Sequence, residues 1–337
     1  MDGRAKEWFE AGRFFRWRGL DIFHAEFGAA GAPVVVLVHG FPTSSIDWYD
    51  VVRPLAVNRR VCVVDFPGFG FSDKPRGEPY TLVRDVELLE HYLGEVVGAE
   101  GGAAVAHDRG DSVALQFAAR CDAGESAFDM TRLVLSNGNM FLPLSNLTEF
   151  QRLVLHDDTA QSVLDVVTPE GLAAGMGTTT FTPPRSGEDP AIAALAQTFA
   201  HNDGVAVVHD TIQYLVERAA HEEEWLGALS RSAIPTTLLW GLCDTVSPPR
   251  VAMHIWDRYL STKPSANDLW FLPHANHYLQ HDDPEGFVEV VSRVLDDNVP
   301  VAPGALTAEP KAPILVDRSR RELPSATDVL AGPERRD

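Results

Sequence analysis

The pattern of apolar positions divides most of the chain into short strand-like runs separated by longer amphipathic segments. Largely apolar runs, typical of buried strands, occupy residues 34–38, 61–65, 103–106, 133–136, 236–240 and 269–272. Two further strands, at 14–17 and 20–26, are predicted to form a hairpin around Arg18-Gly19. Helical periodicity lies between the runs, at residues 80–97, 250–259 and 284–295. This alternation predicts an α/β fold with a mostly parallel eight-stranded sheet and helices on both faces.

The alternation stops after the run at 133–136 and resumes only at residue 236. Residues 138–232 between them have a helical and loop-like pattern, and we expect them to form a helical cap inserted into the core. The core then comprises residues 1–137 and 233–298. Residues 299–337 are rich in proline and charge without sustained periodicity, which predicts a flexible or surface-wrapping C-terminal extension.

Composition narrows the environment and the partners. The chain has 337 residues, 45% of them hydrophobic, which is enough for one large core with an inserted subdomain. Three scattered cysteines and a charged amino terminus favour a cytoplasmic protein without disulfides or a zinc site. The net charge of −20 disfavours nucleic acid and membrane surfaces as partners. A homodimer is an assembly that the sequence allows.

The segment after the run at 103–106 carries the clearest chemical signal. His107-Asp108-Arg109-Gly110 follows this strand directly, and an apolar helical pattern begins at Val113. In a tight strand-to-helix elbow, the central residue projects its side chain from a strained backbone and needs small neighbours two positions away. Ala106 and Gly110 provide them, so Asp108 is the predicted nucleophile. Ser112 lies about one turn inside the helix, and its register disfavours it as the nucleophile.

An aspartate nucleophile predicts a particular chemistry. A carboxylate attacks sp³ carbon and leaves an alkyl ester, whereas serine attacks acyl carbon, so epoxides and carbon–halogen bonds are the natural substrates. Hydrolysis of the ester then requires a base and an oxyanion site. The remaining alternative is a structural carboxylate at an inactive elbow.

Candidates for the other roles follow later strands. His277 comes after the last strand and is the predicted base, with His274 and His281 as less favoured neighbours. Asp244 follows the preceding strand and is predicted to orient His277, although an aspartate before Val246-Ser247-Pro248 also suits a turn. The order of nucleophile, acid and histidine along the chain fits this assignment.

The loop His39-Gly40-Phe41-Pro42 follows the strand at 34–38. Its position suits a backbone amide aimed at a developing oxyanion, and the predicted donors are the amides of Phe41 and Arg109. His39 is a candidate substrate contact. The glycine-rich segment at 65–73 lacks the ending of a phosphate-binding loop and is predicted to be a structural turn.

Five segments together resemble the α/β-hydrolase superfamily: HGFPTSSIDW, DFPGFGFSDKP, HDRGDSVA, WGLCDTVSP and NHYLQ. The resemblance is to the branch of epoxide hydrolases and haloalkane dehalogenases, and within it most to the mesoderm-specific transcript proteins. It covers nearly everything from residue 8 to residue 297. The resemblance implies an α/β-hydrolase fold with an inserted helical cap.

Two departures from the better-defined relatives bear on the substrate. Epoxide hydrolases of this branch usually have a tryptophan after the nucleophile and two cap tyrosines that hydrogen-bond the epoxide oxygen. This chain has Arg109 after Asp108 and only Tyr214 within 138–232, which makes Tyr214 the candidate epoxide-polarising residue. Haloalkane dehalogenases usually have Asn or Trp where this chain has Phe41, so a simple haloalkane dehalogenase is disfavoured.

Arg109 itself admits two interpretations. Fluoroacetate dehalogenases share Asp-Arg-Gly at the elbow, which makes Arg109 a candidate for binding a substrate carboxylate, although their second elbow arginine would fall at Ser112. Alternatively, Arg109 pairs with Asp111 or with an acid of the cap.

The sequence therefore predicts a cofactor-free and metal-free hydrolase that acts on a small molecule with an electrophilic carbon. Epoxide hydrolysis to a diol is the leading hypothesis. Dehalogenation of a small haloalkane or haloacid is second, and carboxylester hydrolysis is third. A non-catalytic ligand-binding protein on a hydrolase scaffold is the alternative from another class.

Overall fold

Eight strands form one sheet in the order β1-β2-β4-β3-β5-β6-β7-β8. A computed structural model describes residues 1–298 and 325–330. The strands are β1 Arg13–Trp17, β2 Leu20–Phe27, β3 Val34–Val38, β4 Arg60–Val64, β5 Gly101–His107, β6 Asp129–Ser136, β7 Thr236–Gly241 and β8 Asp268–Leu272. β1 pairs with β2, and β2 with β4, in antiparallel register, whereas every pairing from β4 to β8 is parallel. The sheet is therefore mostly parallel, as the sequence pattern predicted.

Local sequence explains where the strands begin and end. β1 and β2 are joined through Arg18 and Gly19, which both have positive φ, of 48° and 84°, as the predicted hairpin turn requires. β3 and β5 lie side by side at the centre of the sheet and contain almost only small or branched apolar residues. Strands buried on both faces need such continuous apolar runs.

Helices cover the sheet. The helices of the core are α1 Gly3–Ala11, α2 Tyr49–Leu55, α3 Leu82–His91, α4 Arg109–Asp122, α11 Pro249–Ile255, α12 Leu279–Asp282 and α13 Pro284–Leu295, and π-helical segments at Tyr92–Val97 and Trp256–Leu260 extend α3 and α11. The segment at Ser45–Trp48 is a 3-10 turn before α2. The helical segments predicted at 80–97, 250–259 and 284–295 are thus confirmed.

Between β6 and β7 the described chain is helical and contains no strand. This helical insertion comprises α5 Glu149–Leu155, α6 Asp157–Leu164, α7 Pro169–Thr179, α8 Pro190–Ala200, α9 Val208–Ile212 and α10 Tyr214–Arg231, with 3-10 segments at Leu142–Leu144 and His201–Val207. The long α10 contacts α4, the helix that follows the elbow. The insertion therefore leaves the sheet after β6 and lies against the helix that begins at the candidate nucleophile.

The amino-terminal helix α1 has no counterpart in the sequence prediction. It contacts α8 of the helical insertion, and Asp2 and Gln197 exchange two hydrogen bonds of 2.7 and 2.8 Å. Trp8 is fully buried, donates from its indole N–H to Ser45 Oγ over 3.1 Å and stacks on Phe27. This helix therefore joins the insertion to the core.

The predicted C-terminal extension lies mostly outside the described residues. Within 325–330, the short helix α14 Ala326–Leu330 contacts α10 and buries Leu330. In the described parts of the chain, Cys62, Cys121 and Cys243 form no disulfide. None of the helices placed in residues 1–298 and 325–330 combines the length and the apolar character that crossing a membrane requires.

Candidate active site

The candidate site lies at the carboxyl edge of the parallel strands. β3 leads into the loop at 39–42, β5 ends just before Asp108, and β7 and β8 precede Asp244 and His277. Because the carboxyl ends of parallel strands meet at one edge, residues far apart in the sequence converge there. The sheet order therefore explains why the predicted nucleophile, acid and base lie together.

Asp108 occupies a strained turn between β5 and α4. Its φ and ψ angles are 54° and −115°, and it is almost completely buried. Gly110 passes so close to β3 that a Cβ there would lie 2.3 Å from the carbonyl oxygen of Val38, which explains the small residue at this position. Ser112 lies inside α4 rather than at the turn. The backbone thus projects Asp108 from the elbow.

The two carboxylate oxygens of Asp108 have different surroundings. Oδ2 accepts a hydrogen bond of 2.8 Å from the Phe41 amide, and the Arg109 amide also donates to the carboxylate. Oδ1 has no hydrogen-bond partner among the described residues. Burial raises the pKa of Asp108, while His277 and the two amides oppose the rise. Oδ2 is therefore held by at least the Phe41 amide, whereas Oδ1 accepts no hydrogen bond from the described residues.

His277 stands between the two aspartates. Its Nδ1 lies 3.1 Å from Asp244 Oδ2, and its Nε2 lies 3.7 Å from Asp108 Oδ1. The second distance is too long for a good hydrogen bond, so His277 lies near Asp108 without being hydrogen-bonded to it. Although burial by itself lowers the pKa of His277, Asp244 and then Asp108 outweigh it and raise the pKa above 6.5.

The two carboxylate oxygens of Asp244 have different partners. Its Oδ1 accepts from the amides of Val246 and Ser247 over 2.7 and 2.9 Å, which forms the turn after β7. Its Oδ2 faces His277. The turn holds the carboxylate in place, and the second oxygen remains available to orient the imidazole.

Asn137 stabilises the loop that contains Asn276 and His277. The sequence did not mark it as a functional residue. It has a φ of 51°, and its Nδ2 donates to the carbonyls of Asn276 and His277 over 2.8 and 2.9 Å. Its Oδ1 accepts from the Gly241 amide over 3.0 Å. A polar residue directly after β6, in the segment Ser-Asn-Gly, was the available signal.

His39 does not reach the site as a substrate contact. Because a backbone amide can only donate, His39 Nε2 accepts from the Phe66 amide over 3.1 Å, and Nδ1–H donates to the Gly40 carbonyl over 2.9 Å. The ring is fully buried against Phe66 and Phe69, and burial lowers its pKa to about 3. Both ring nitrogens are engaged, so His39 supports the loop instead.

The side chain of Arg109 has its ionic partner in α3. It forms a buried ion pair with Asp85 of α3, which corrects the expectation of a partner at Asp111 or in the cap. Its guanidinium carbon lies 5.6 and 5.0 Å from the ring centroids of Phe66 and Phe69. Burial raises the pKa of Asp85 to about 6, although Arg109 opposes the rise. The ion pair occupies the group that would have bound a substrate carboxylate.

Tyr214 is the first residue of α10 and lies near Arg109 of the elbow. Its ring centroid is 5.9 Å from that of Phe41 and 5.6 Å from the guanidinium carbon of Arg109. The side chain is 2% exposed, and its hydroxyl has no partner among the described residues. Burial and the nearby Asp108 raise the pKa of Tyr214, so the phenol is protonated. The hydroxyl is thus buried and unpartnered, and it lies close enough to Asp108 for that carboxylate to affect its pKa.

A cavity of about 280 Å³ lies between the core loops and the helical insertion. Its lining is mainly apolar, and Glu149 is its charged member apart from His277. From the core it is lined by Phe41, Val246, His277 and Tyr278, and from the insertion by Phe150, Leu172 and Met176 among others. Tyr278 was not predicted, although it follows His277 directly. The cavity thus extends to His277, the candidate base, and to Phe41 of the loop at 39–42.

Within residues 1–298 and 325–330, no group of three or more His, Cys, Asp or Glu side chains is placed to hold a metal ion. The polar groups of the site are instead arranged around one carboxylate. The arrangement can bring a carboxylate nucleophile, an oriented imidazole and two amide donors to one ligand atom.

Comparison with known proteins places the chain in a family. Residues 33–284 match the family model described as alpha/beta hydrolase fold. A mesoderm-specific transcript homolog protein from Bos taurus is 32% identical over 291 residues, which cover 83% of this chain and 84% of the relative. LipZ from Mycobacterium tuberculosis is 32% identical over 294 residues, which cover 87% and 98%.

Solved structures show the same fold. Haloalkane dehalogenase DbeA from Bradyrhizobium elkani USDA94 aligns with a TM-score of 0.71 at 20% identity, covering 85% of this chain and 98% of that one. The family match, the relatives and the eight-stranded sheet confirm the resemblance inferred from the motifs. This chain therefore belongs to the α/β-hydrolase-fold family and is a hydrolase.

Proposed function

We propose that this protein hydrolyses an uncharged epoxide to a diol through a covalent alkyl ester on Asp108. The observation that carries the proposal is the unequal environment of the two Asp108 oxygens. Oδ2 is held by the Phe41 amide, the Arg109 amide also donates to the carboxylate, and Oδ1 has no hydrogen-bond partner among the described residues and lies 3.7 Å from His277 Nε2. A free oxygen suits attack on carbon, and a fixed one suits the later oxyanion.

In the first step, Asp108 Oδ1 attacks an epoxide carbon and the C–O bond of the ring breaks. The oxygen that leaves carbon takes a proton, and the Tyr214 hydroxyl is the donor we assign, because it is buried, protonated and unpartnered. The products of this step are an alkyl ester on Asp108 and a phenolate on Tyr214.

In the second step, His277 Nε2 removes a proton from water, and the hydroxide adds to the carboxyl carbon of the ester. Negative charge then develops on Oδ2, which the amides of Phe41 and Arg109 stabilise. The tetrahedral species collapses, the diol oxygen leaves with the proton from His277, and the carboxylic acid of Asp108 returns a proton to Tyr214. The balance of the cycle is one epoxide and one water for one diol.

The cavity favours an uncharged, apolar substrate. Its lining is mainly apolar, and the guanidinium of Arg109 is paired with Asp85 and 1% exposed. A substrate carboxylate would therefore meet Glu149 and no free cation in the lining. Desolvating a charge without a partner is unfavourable, so haloacids fit this site poorly.

Haloalkane hydrolysis is the second candidate, because the same Asp108 oxygen can displace halide from carbon. It requires donors that bind the halide, and the side chain of Phe41 offers none. Carboxylester hydrolysis fits less well, because attack by a carboxylate on an acyl carbon would give an anhydride. A non-catalytic binding protein has no need of Asp108, Asp244 and His277 in this geometry.

Trapping the ester tests the proposal. In a His277→Gln variant, the first step proceeds and the second lacks its base, so incubation with apolar epoxides should leave an adduct on the Asp108 peptide, detected by mass spectrometry. His274→Gln is a matched control, since His274 lies in the same loop but is exposed. It should turn over without accumulating the adduct. No adduct from any epoxide would refute epoxide hydrolysis, and an adduct with halide release from haloalkanes alone would identify a dehalogenase.

Isotope transfer gives an independent measurement on the unaltered enzyme. During multiple turnovers in ¹⁸O-water, hydrolysis at the carboxyl carbon should place label in the Asp108 carboxylate. Label confined to the diol would indicate direct attack of water on the epoxide and would contradict the covalent step.

We also propose a cytoplasmic location, which the three unpaired cysteines favour.

A further inference from the structure

The cavity beside His277 opens to solvent between two helices of the insertion. Its exposed lining residues are Glu149 at the start of α5 and, on α7, Gly171, Gly175 and Thr179. The three residues of α7 recur every four positions, so they lie along one face of that helix. The exposed lining marks the mouth of the cavity, and this face of α7 forms one side of the mouth.

The rest of the cavity is lined by buried residues. Leu172 and Met176 of α7 and Phe41 of the core supply apolar surface there. His277 also lines the cavity and is 3% exposed, and its Nε2 lies 3.7 Å from Asp108 Oδ1, beyond a good hydrogen bond. A ligand in the cavity therefore meets apolar side chains along α7 and a buried imidazole whose Nε2 is not hydrogen-bonded to Asp108.

Gly175 relieves no close contact and needs no special backbone conformation. A Cβ at this position would meet nothing within 4 Å, and its φ is not positive. Gly177 on the same helix shows the opposite case, because a Cβ there would lie 2.5 Å from the carbonyl oxygen of Arg185. Glycine inside a helix lowers helix stability relative to alanine. Gly175 has this cost without a packing reason, which indicates that the open space at the mouth is its contribution.

The size of the cavity limits what it can enclose. Its volume of about 280 Å³ corresponds to about nine groups of the size of a water molecule, at about 30 Å³ each. A longer apolar molecule must therefore extend along α7 and leave through the mouth, past Gly175. A side chain at this position would lie in its path.

We infer that Gly175 determines the chain length of the substrate, and that this substrate is an uncharged epoxide whose long apolar chain leaves the cavity past Gly175. This role rests on the proposed epoxide hydrolysis. The chain lies against Leu172 and Met176, where burial of each CH₂ group favours binding. The competing explanation is that the mouth serves only for entry. Gly175 would then admit short and long substrates alike.

Steady-state kinetics with the terminal epoxides of butane and of dodecane separate these explanations. The butane epoxide is small enough to lie wholly inside the cavity, whereas the dodecane epoxide is not. Gly175→Leu should lower kcat/KM for the dodecane epoxide at least about 10-fold, mainly through KM, with a much smaller effect on the butane epoxide. Thr178→Leu is the matched control, because Thr178 is exposed on α7 but does not line the cavity. It should retain the wild-type ratio between the two epoxides, and equal losses for both epoxides in Gly175→Leu would overturn the inference.

Binding of an unreactive ligand distinguishes failure of this role from failure of the proposed function. Dodecanol has the same chain without the epoxide, and isothermal titration calorimetry measures its affinity. It should bind the wild type and Thr178→Leu, and it should bind Gly175→Leu at least about 10-fold more weakly. No binding to the wild type, or equal binding to Gly175→Leu, would overturn the inference. If the wild type turns over no epoxide, the proposed function fails, and dodecanol binding still decides whether Gly175 admits a long chain.

Gly175→Ala is a second variant, which carries the test if Gly175→Leu fails to fold. Alanine in place of an unstrained helix glycine should raise the temperature of thermal unfolding. The added methyl group should at the same time lower kcat/KM for the dodecane epoxide more than for the butane epoxide, and should weaken dodecanol binding. A more stable Gly175→Ala protein with the wild-type chain-length preference and dodecanol affinity would overturn the inference.

Discussion

Gly40 lies where the loop at 39–42 passes close to Asp108. A Cβ at this position would lie 2.7 Å from Asp108 Cβ and 2.9 Å from Asp108 Oδ2, whereas ordinary contact begins at 3.4 Å. Gly40 does not have the positive φ that disfavours other residues. Gly40→Ala therefore perturbs the site through contact alone. To restore ordinary contact between the new Cβ and Asp108 Cβ, either the loop at 39–42 or the elbow must move by about 0.7 Å, the difference between 3.4 and 2.7 Å.

The size of this movement sets the expected effect. Phe41, the next residue, donates to Asp108 Oδ2 over 2.8 Å, and a shift of this size lengthens that hydrogen bond beyond its useful range. Loss of one oxyanion donor typically lowers turnover about 10²- to 10³-fold. Overpacking costs about 1–3 kcal/mol of folding stability, so the protein should still fold.

Single-turnover kinetics with an epoxide would resolve the defect, because ester hydrolysis depends on the oxyanion donors. We expect the ester to accumulate in Gly40→Ala and hydrolysis to limit turnover. Gly94→Ala is the control, since a Cβ there meets nothing within 4 Å. Wild-type ester hydrolysis in Gly40→Ala, with a folded protein by thermal unfolding, would refute the assignment of Phe41 as a donor.

Two further predictions concern the base and the amino-terminal helix. The hydrolysis step needs neutral His277, whose pKa is raised, so its rate should fall as the pH drops through a value above 6.5. Asp244→Asn should lower turnover about 10²- to 10⁴-fold. It should also move the fall in hydrolysis rate to lower pH, because without the Asp244 charge burial dominates and lowers the pKa of His277. Stopped-flow pH profiles measure this fall, and an unchanged position would contradict the role of Asp244. Trp8→Ala should cost about 3–5 kcal/mol in urea unfolding, because Trp8 is fully buried. Val57→Ala, at a 77% exposed position, should change the free energy of unfolding little. If Trp8→Ala lowered this free energy no more than Val57→Ala, burial of α1 would add no stability.

Some expectations needed the structure for correction. Arg109 and Asp85 are 24 residues apart, and Asp85 lay within a segment that the sequence marked only as helical. Which acid meets a buried arginine depends on how α3 packs against α4, and no local pattern records that packing. His39 likewise looked available at the start of its loop, and only the close approach of Phe66 shows that its ring is fully bonded.

The sequence by itself determined the strands of the sheet, three helical segments of the core and the elbow. Strand and helix periodicity, the hairpin at Arg18-Gly19 and the position of Asp108 directly after β5 are local properties, which neighbouring residues specify through sterics and burial. The order of Asp108, Asp244 and His277 indicated a common site once the sheet was assumed parallel.

Only the tertiary structure decided what surrounds that site. The 3.7 Å between His277 Nε2 and Asp108 Oδ1, the apolar lining from α5 and α7, and the approach of Tyr214 to Arg109 all come from contacts between distant segments. Such contacts depend on how the insertion lies on the sheet, which periodicity does not encode. The elbow position of Asp108 was therefore predictable from the sequence, while the groups around it became visible only in the folded chain.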